Sequence, residues 1–335
     1  MLFRSPAHAR QDLTTPHHTL AGLVRAGTRA LRSAPLAFGH GYGTAQDEAT
    51  LLTLHALGLA PDTPLDERKI SVVGAARARA LIETRISTRK PAAYLTHEAW
   101  LAGVRFFTDE RVIVPRSYIA ELLADDDLLL PPASEAHHAL DLCTGSGCLA
   151  VLLAKRYRKA RIDATDISRD ALAVAAVNVR RHRLTKRIKL LFSNVFSSLR
   201  GKRYELIISN PPYVRSAAMR RLPAEYRHEP ALALASGEDG LDCIREILRN
   251  AAHHLTPGGV LVVECGHARE RVERAWPRLP FLWPDTSGGD DCVFVLRRED
   301  LVSGLRRGSG SGRAPRPGLT VGLATPSTQR SRRRT

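Results

Sequence analysis

Several features common in other classes of protein are scarce or missing in this chain of 335 residues. No apolar run approaches the roughly 18 residues that a membrane-spanning helix needs, so we expect no membrane contact. The first ten residues carry charges and no apolar stretch, so we also predict no secretory signal. Membrane and secreted classes of protein are therefore disfavoured at the outset.

Cysteine is sparse, and its spacing is uninformative for metal binding. The five cysteines, at positions 143, 148, 243, 265 and 292, form no C-x-x-C pair and are odd in number. This usage fits a reducing compartment better than a disulfide framework, so we predict a cytoplasmic protein. The histidine pairs at 17–18, 137–138 and 253–254 show no recognisable ligand spacing. We accordingly predict no metal site.

Positive charge is in excess, and part of it is concentrated at one end. Lysine and arginine number 50 against 34 acids, a net charge of +16. Residues 303–335 contain eight arginines, no acid and no aromatic residue, and are rich in Gly, Ser and Pro. Such a segment cannot bury a core, so we predict a disordered tail. Its charge attracts polyanions, and RNA bound without sequence specificity is the expected contact.

Apolar spacing divides the rest of the chain. Residues 17–95 show helical spacing, with Thr44 as a cap, Gly58 as an end and Asp66 opening a further helix. Between residues 97 and 116 the apolar residues alternate as in strands, and the polar Thr108-Asp109-Glu110 predicts the turn of a hairpin. We predict four parts: a helical substrate-recognition domain at 1–96, a hairpin and linker at 97–132, an α/β domain at 133–302, and the tail.

The α/β domain is predicted from alternating strands and helices, which are typical of a doubly wound, mostly parallel sheet. The predicted strands are 139–143, 161–166, 188–192, 205–209, 260–264 and 292–296. Helices are predicted at 148–157, from 170 onward and at 241–255. Ligands of such sheets bind outside the carboxyl ends of the strands.

A glycine-rich stretch, Asp141-Leu142-Cys143-Thr144-Gly145-Ser146-Gly147, lies where the first of these strands turns into the following helix. Asp166 ends the second strand 21 positions after Gly145, where an acid can bond ribose hydroxyls. The turn also fits a nicotinamide fingerprint, Gly145-x-Gly147-x-x-Ala150, but Asp141 would favour a cationic group over a pyrophosphate. S-adenosylmethionine carries both a ribose and a sulfonium and is the favoured cofactor. The predicted cofactor-binding residues are Asp141, Cys143, Thr144, Gly145, Ser146, Gly147, Asp166, Asn194 and Asn210.

The most informative stretch is Asn210-Pro211-Pro212-Tyr213, just past the buried strand ending at Ser209. The Asn210 side-chain carbonyl and the Pro211 backbone carbonyl can each accept one N–H of a planar amino group. The prolines stiffen the backbone, and Tyr213 offers a flat face for stacking. We therefore predict Asn210, Pro211, Pro212 and Tyr213 as catalytic residues that clamp a weakly nucleophilic nitrogen.

With these motifs the chain resembles class I methyltransferases, and more narrowly the family of protein-glutamine N-methyltransferases that act on release factors and on a ribosomal protein. Glu229-Pro230, followed by Ala233, Gly237 and Asp239-Gly240-Leu241, adds to the resemblance. Where the release-factor branch reads Pro-Arg-Pro-Glu-Thr, this chain has Pro115-Arg116-Ser117-Tyr118-Ile119. Tyr94-Leu95-Thr96, Asp109-Glu110-Arg111-Val112 and Glu225-Tyr226-Arg227-His228 are similar to the ribosomal branch. The resemblance implies methylation of one glutamine in large-subunit ribosomal protein uL3.

Two departures and two alternatives accompany this resemblance. Cys143 stands where many relatives have Gly, and Asn194 stands where an acid is common.

An amino-methyltransferase acting on adenine or guanine in nucleic acid would use the same four-residue clamp, although no base-flipping or target-recognition domain is evident. A non-catalytic assembly factor that keeps the fold is a second alternative. Loss of S-adenosylmethionine binding would favour that alternative.

Overall fold

The computed structural model describes residues 19–124, 129–132 and 134–306. At its centre lies a six-stranded sheet, whose strands we number after a short preceding hairpin. The hairpin strands are β1 (Ala99–Leu101) and β2 (Val104–Phe106). The sheet strands are β3 (His138–Leu142), β4 (Arg161–Asp166), β5 (Ile188–Phe192), β6 (Tyr204–Ser209), β7 (Leu255–Glu264) and β8 (Val293–Arg297). Their order is β5-β4-β3-β6-β7-β8, and only β8 pairs antiparallel with its neighbour.

Helices cover both faces of this sheet and also build the N-terminal part. The α-helices are Leu20–Ser33, Ala45–Leu57, Val72–Thr88, Ala92–Thr96, Ile119–Ala124, Cys148–Arg156, Arg169–Arg181, Ser216–Met219, Asp242–His254, Arg269–Ala275 and Arg298–Arg306. Two 3₁₀ turns, Ala224–His228 and Ala231–Ala233, follow the short helix after β6. The predicted doubly wound α/β class is therefore confirmed. Each predicted sheet strand is present within one residue, except that β7 begins at Leu255, five residues before its predicted start.

The sheet is the core because its central strands are buried on both faces. Leu140 and Leu142 of β3 contact one apolar cluster, and Ala139 contacts the other. Ile207 and Ile208 of β6 divide between the two clusters in the same way. Alternate side chains of a strand point to opposite faces, so near-continuous apolar strands are what a sheet covered on both sides requires.

Side-chain caps mark the starts of three N-terminal helices, and the predicted cap at Thr44 is confirmed. Thr19 and Thr44 accept hydrogen bonds from Gly22 N and Asp47 N, and Gly58 ends the second helix in the left-handed conformation. The predicted start at Asp66 is wrong. Ser71 caps the third helix instead, because its hydroxyl accepts from Gly74 N and satisfies a first-turn donor.

The hairpin prediction placed the turn too late in the chain. The turn lies at Ala102-Gly103, and both residues have positive φ. Residues 108–110 form no hairpin turn, and Val112 to Val114 form no strand. Instead Val112 and Val114 are buried, and the segment runs along the edge of a cavity described below. Backbone groups of this segment form hydrogen bonds with side chains from distant parts of the chain. A local strand pattern does not reveal such partners.

No helix among the described residues is long and apolar enough to cross a membrane. The predicted basic tail lies almost wholly outside the described residues, which end at Arg306, the last residue of the helix Arg298–Arg306. The four-part domain division stays a prediction.

Candidate active site

A cavity of about 330 Å³ opens at the carboxyl ends of β3, β4 and β6. Leu142 pairs with Ser209 in parallel register, so Cys143 and Asn210 leave the sheet side by side. Neighbours of β3 on its two sides are β4 and β6, so the strand order reverses there, which is where ligands bind in such sheets. The volume lies in the usual range for small-molecule sites.

The glycine-rich turn shapes one wall of the cavity through an unusual backbone. Cys143, Gly145 and Gly147 all have positive φ, of 58°, 53° and 78°. A Cβ on Gly145 would meet no atom within 4 Å, and Gly145 lines the cavity, so its missing side chain leaves space for a ligand. A Cβ on Gly147 would lie 3.0 Å from that of Ala175. Gly147 therefore serves close packing of helix against turn.

Two aspartates hold this turn in place. Asp141 is fully buried and accepts a hydrogen bond from Thr144 Oγ1 at 2.5 Å. Burial raises the pKa of Asp141 to about 7. Asp166 lines the cavity and accepts from Gly145 N at 2.9 Å and from Ser168 N at 2.8 Å. Burial likewise raises the pKa of Asp166.

A single hydrogen bond orients the Asn210 side chain. Its Nδ2 donates to the backbone carbonyl of Arg116 at 3.1 Å. No donor in the described part of the chain reaches its Oδ1, and the residue lines the cavity. An amide whose nitrogen is engaged in this way keeps its carbonyl oxygen as the acceptor available to a ligand.

The segment that carries this carbonyl is held by Glu229. The Glu229 carboxylate forms a bidentate ion pair with Arg116, with one N–O distance of 2.7 Å, and accepts from Val114 N at 3.0 Å. The Glu229 side chain is fully buried, so the pair lies in a medium where charge-assisted bonds are strong. Glu229 thereby holds the chain before the carbonyl that orients Asn210 and the side chain of Arg116, which carries that carbonyl.

A second buried carboxylate, Glu264 at the end of β7, holds the other side. It accepts from Ser117 Oγ at 2.6 Å, from Tyr118 N at 3.0 Å and from the Tyr213 hydroxyl at 3.4 Å. Burial raises the pKa of Glu264. A Cβ on Gly266 would approach the Tyr213 ring to 2.8 Å, so this glycine makes room for the ring.

The N-terminal helices are joined to the same region through Glu225, four positions before Glu229. Glu225 forms a bidentate pair with Arg89, with N–O distances of 2.9 and 3.1 Å, and accepts from Ala37 N at 3.0 Å. Arg85, fully buried, lies 3.6 Å from Glu225 and pairs with Glu48. The chain segment after Asn210 is therefore docked onto the helical part by buried charges.

The structure brings most of the predicted site residues to one cavity. The lining includes Cys143, Thr144, Gly145, Ser146, Asp166, Asn194, Asn210 and Pro212. Four other predicted site residues are not among the described residues that line the cavity: Asp141, Gly147, Pro211 and Tyr213. Asp141 acts through Thr144, Gly147 packs on Ala175, and Tyr213 bonds Glu264.

Sequence reasoning missed several residues that position the site. Arg116 and Glu229 lie 113 positions apart, and Ser117 and Glu264 lie 147 apart. Asn178 is fully buried, and its Nδ2 donates to the carbonyls of Ser146 and Phe107. An asparagine on the otherwise apolar face of a predicted helix is a signal that could have pointed to Asn178, but its partners follow only from the fold.

The cavity fits the predicted cofactor. Apolar side chains such as Ile167 and Leu149 line it together with the Asp166 carboxylate, a combination suited to a nucleoside. Open space above Gly145 allows close approach of a ribose to that carboxylate. Asp166 retains lone pairs beyond its two backbone bonds, because each carboxylate oxygen accepts more than one donor.

Comparisons with known proteins show which proteins this chain is similar to. A family model described as "Methyltransferase small domain" matches residues 123–225. Ribosomal protein uL3 glutamine methyltransferases from Neisseria meningitidis serogroup B and Bordetella pertussis are 49% and 48% identical to this chain. These matches cover 88% and 87% of this chain and 96% and 98% of the relatives.

Among solved structures, a methyltransferase from Pyrococcus furiosus is 17% identical, with a TM-score of 0.43 over 58% of this chain and 89% of that one. The two curated relatives are far more similar to this chain, and each match covers nearly the whole length of the relative. This chain belongs to the family of ribosomal protein uL3 glutamine methyltransferases.

Proposed function

We propose that this chain transfers a methyl group from S-adenosylmethionine to the side-chain amide nitrogen of a glutamine in ribosomal protein uL3. One observation carries the chemistry: Asn210 shares a cavity with Asp166 and Gly145, and its Nδ2 is already engaged by Arg116. Family membership supplies the substrate, because the curated relatives are named for uL3. Since ribosomal proteins are made in the cytoplasm, we place the reaction there.

In this proposal Asn210 Oδ1 accepts one N–H of the glutamine amide and the Pro211 carbonyl accepts the other. Two acceptors fix the plane of the amide and direct the nitrogen lone pair into the cavity. Pro212 lines the cavity and limits the backbone's freedom. The Tyr213 hydroxyl donates a hydrogen bond to Glu264 and its ring lies beside Gly266, so Tyr213 supports this turn without lining the cavity.

Asp166 and the turn at Gly145 would hold the ribose of the cofactor, and Asn194 would lie at its adenine end. When bound, S-adenosylmethionine supplies a methyl group activated by its sulfonium. An N–C bond forms as the C–S bond breaks, and the nitrogen then loses its proton to water. The chain itself contributes the orientation of the two reactants. No side chain is needed as a strong base.

The test is an assay with purified uL3 and, separately, with ribosomal RNA, each given labelled S-adenosylmethionine. Label is expected on a glutamine of uL3, located by peptide mass spectrometry. Asn210→Ala should lower kcat by about 100-fold or more while cofactor affinity changes little, because the amide loses its positioning. Asn194→Ala is the matched control, an asparagine in the same cavity expected to affect cofactor affinity instead. Label on RNA alone would favour the nucleic-acid amino-methyltransferase.

The basic tail suggests a second contact. We propose that its arginines bind ribosomal RNA without sequence specificity. Removing residues 307–335 should then weaken RNA binding and flatten its salt dependence. Methylation of isolated uL3 should be unaffected. An unchanged salt slope would contradict this role of the tail.

A further inference from the structure

Three side chains of different chemistry lie close together outside the cavity, next to the end of β7 and the beginning of β8. His267 follows β7, and Asp291 and Cys292 precede β8. Their ligand atoms lie within 4.8 Å of one another, the single such group in the described ranges. His267 Nδ1 is 2.9 Å from Asp291 Oδ1 and 3.6 Å from Cys292 Sγ, and Sγ is 3.4 Å from Oδ1.

These distances match one face of a zinc tetrahedron. With Zn–S near 2.3 Å and Zn–N and Zn–O near 2.0 Å, tetrahedral edges are about 3.5 Å for S–N and S–O, and about 3.3 Å for N–O. The observed edges differ from these by about 0.4 Å at most. The three atoms therefore need only a slight shift to share one ion.

Ligand chemistry and exposure point to the same ion. A thiolate, an imidazole and a carboxylate together suit zinc, whereas magnesium and calcium prefer oxygen ligands throughout. Cys292 is buried, while the side chains of His267 and Asp291 are 70% and 36% exposed. An ion can therefore reach the site from solution and keep water as a fourth ligand.

We propose that His267, Asp291 and Cys292 form a zinc site. On binding, the Cys292 thiol gives its proton to solvent and its sulfur coordinates the ion. His267 Nδ1 gives up the proton that it donates to Asp291 and coordinates the ion in its place, while Nε2 carries the ring's remaining N–H. The site's residues lie 24 and 25 positions apart along the chain, which is why no ligand spacing was visible in the sequence.

Such a site would connect the loops that support two tyrosines near the active site. A Cβ on Gly266, next to His267, would contact the Tyr213 ring. One on Gly288, in the loop before Asp291, would approach the Tyr118 ring to 2.4 Å. Zinc would therefore tie these two loops together and stabilise the fold there, without entering the methyl transfer.

The test uses the full chain, stripped of metal with a chelator and titrated with Co²⁺ and then with Zn²⁺. A thiolate-to-cobalt charge-transfer band is expected, lost when one equivalent of zinc displaces the cobalt. Cys292→Ser should abolish the band, and His267→Asn should weaken binding by about tenfold or more, since even supporting residues of metal sites contribute that much. Cys243→Ser is the matched control and should keep the band.

Folding is checked separately, by comparing the metal-free melting temperature of each variant with that of the metal-free parent. His267 is largely exposed, so His267→Asn should fold normally and isolates the loss of a ligand. No band with the parent chain, or a band that survives Cys292→Ser, would overturn the proposal. In either case the trio is only a hydrogen-bonded cluster.

Discussion

Replacing Glu229 by glutamine tests how the Asn210 side chain is held in position. The substitution keeps the shape but removes the charge that pairs with Arg116. Arg116 would remain largely buried without its counter-ion, so we expect a loss of about 3 kcal/mol in stability, the lower end for a broken buried pair. The carbonyl that orients Asn210 lies on Arg116 itself, so the amide should also lose its alignment.

A matched control is available in the same loop. Glu225 is equally buried, forms a bidentate pair with Arg89 and accepts one backbone N–H, but it does not contact Arg116. Glu225→Gln should therefore lower stability by a similar amount. Only Glu229→Gln should lower kcat, by about 10- to 100-fold, because a misplacement near 1 Å has that effect.

The assay measures kcat at saturating cofactor and uL3, at a temperature where both variants are folded by circular dichroism. Thermal unfolding gives the stability comparison. Equal kcat values for the two variants would refute the idea that Glu229 positions Asn210 through Arg116. The ion pair would then serve folding alone.

Three further predictions concern the turn and the cavity. Gly266→Ala should displace the Tyr213 ring and lower kcat, checked by steady-state kinetics, because a Cβ there would lie 2.8 Å from the ring at a φ of 57°. Asp166→Ala should weaken cofactor affinity in calorimetry, with unchanged affinity contradicting its ribose contact. Burial raises the pKa of Asp141 from 3.8 to about 7, so the folded state binds the extra proton and stability falls as pH rises through that window. Asp141→Asn should remove this loss, and thermal unfolding at pH 5 and 8 checks it.

Local patterns predicted what depends on local chemistry. The strands of the sheet follow from apolar runs, and a ligand site outside their carboxyl ends follows from the parallel sheet. That β3 and β6 are neighbours, which places Cys143 beside Asn210, is known only from the fold. The left-handed φ of Cys143 explains why a glycine can stand at that position. The sequence resemblance then identified the family that the comparisons confirm.

What the sequence could not reveal depends on distant partners. Val112 to Val114 is an apolar, β-branched run typical of a strand, but Val114 N donates to Glu229, 115 positions away. Glu229 and Glu264 look like ordinary surface acids in the sequence, and only the fold buries them. Likewise, only the fold reveals that the Tyr213 hydroxyl bonds Glu264 and that its ring lies beside Gly266, and its role as a stacking face stays a prediction.

The most direct test of the account is a crystal structure of the chain with S-adenosylhomocysteine and a glutamine-containing peptide of uL3. The glutamine Nε2 should lie within about 3 Å of both Asn210 Oδ1 and the Pro211 carbonyl oxygen, facing the cofactor sulfur. Nε2 bound elsewhere, with Asn210 Oδ1 turned away from the cavity, would contradict the central claim.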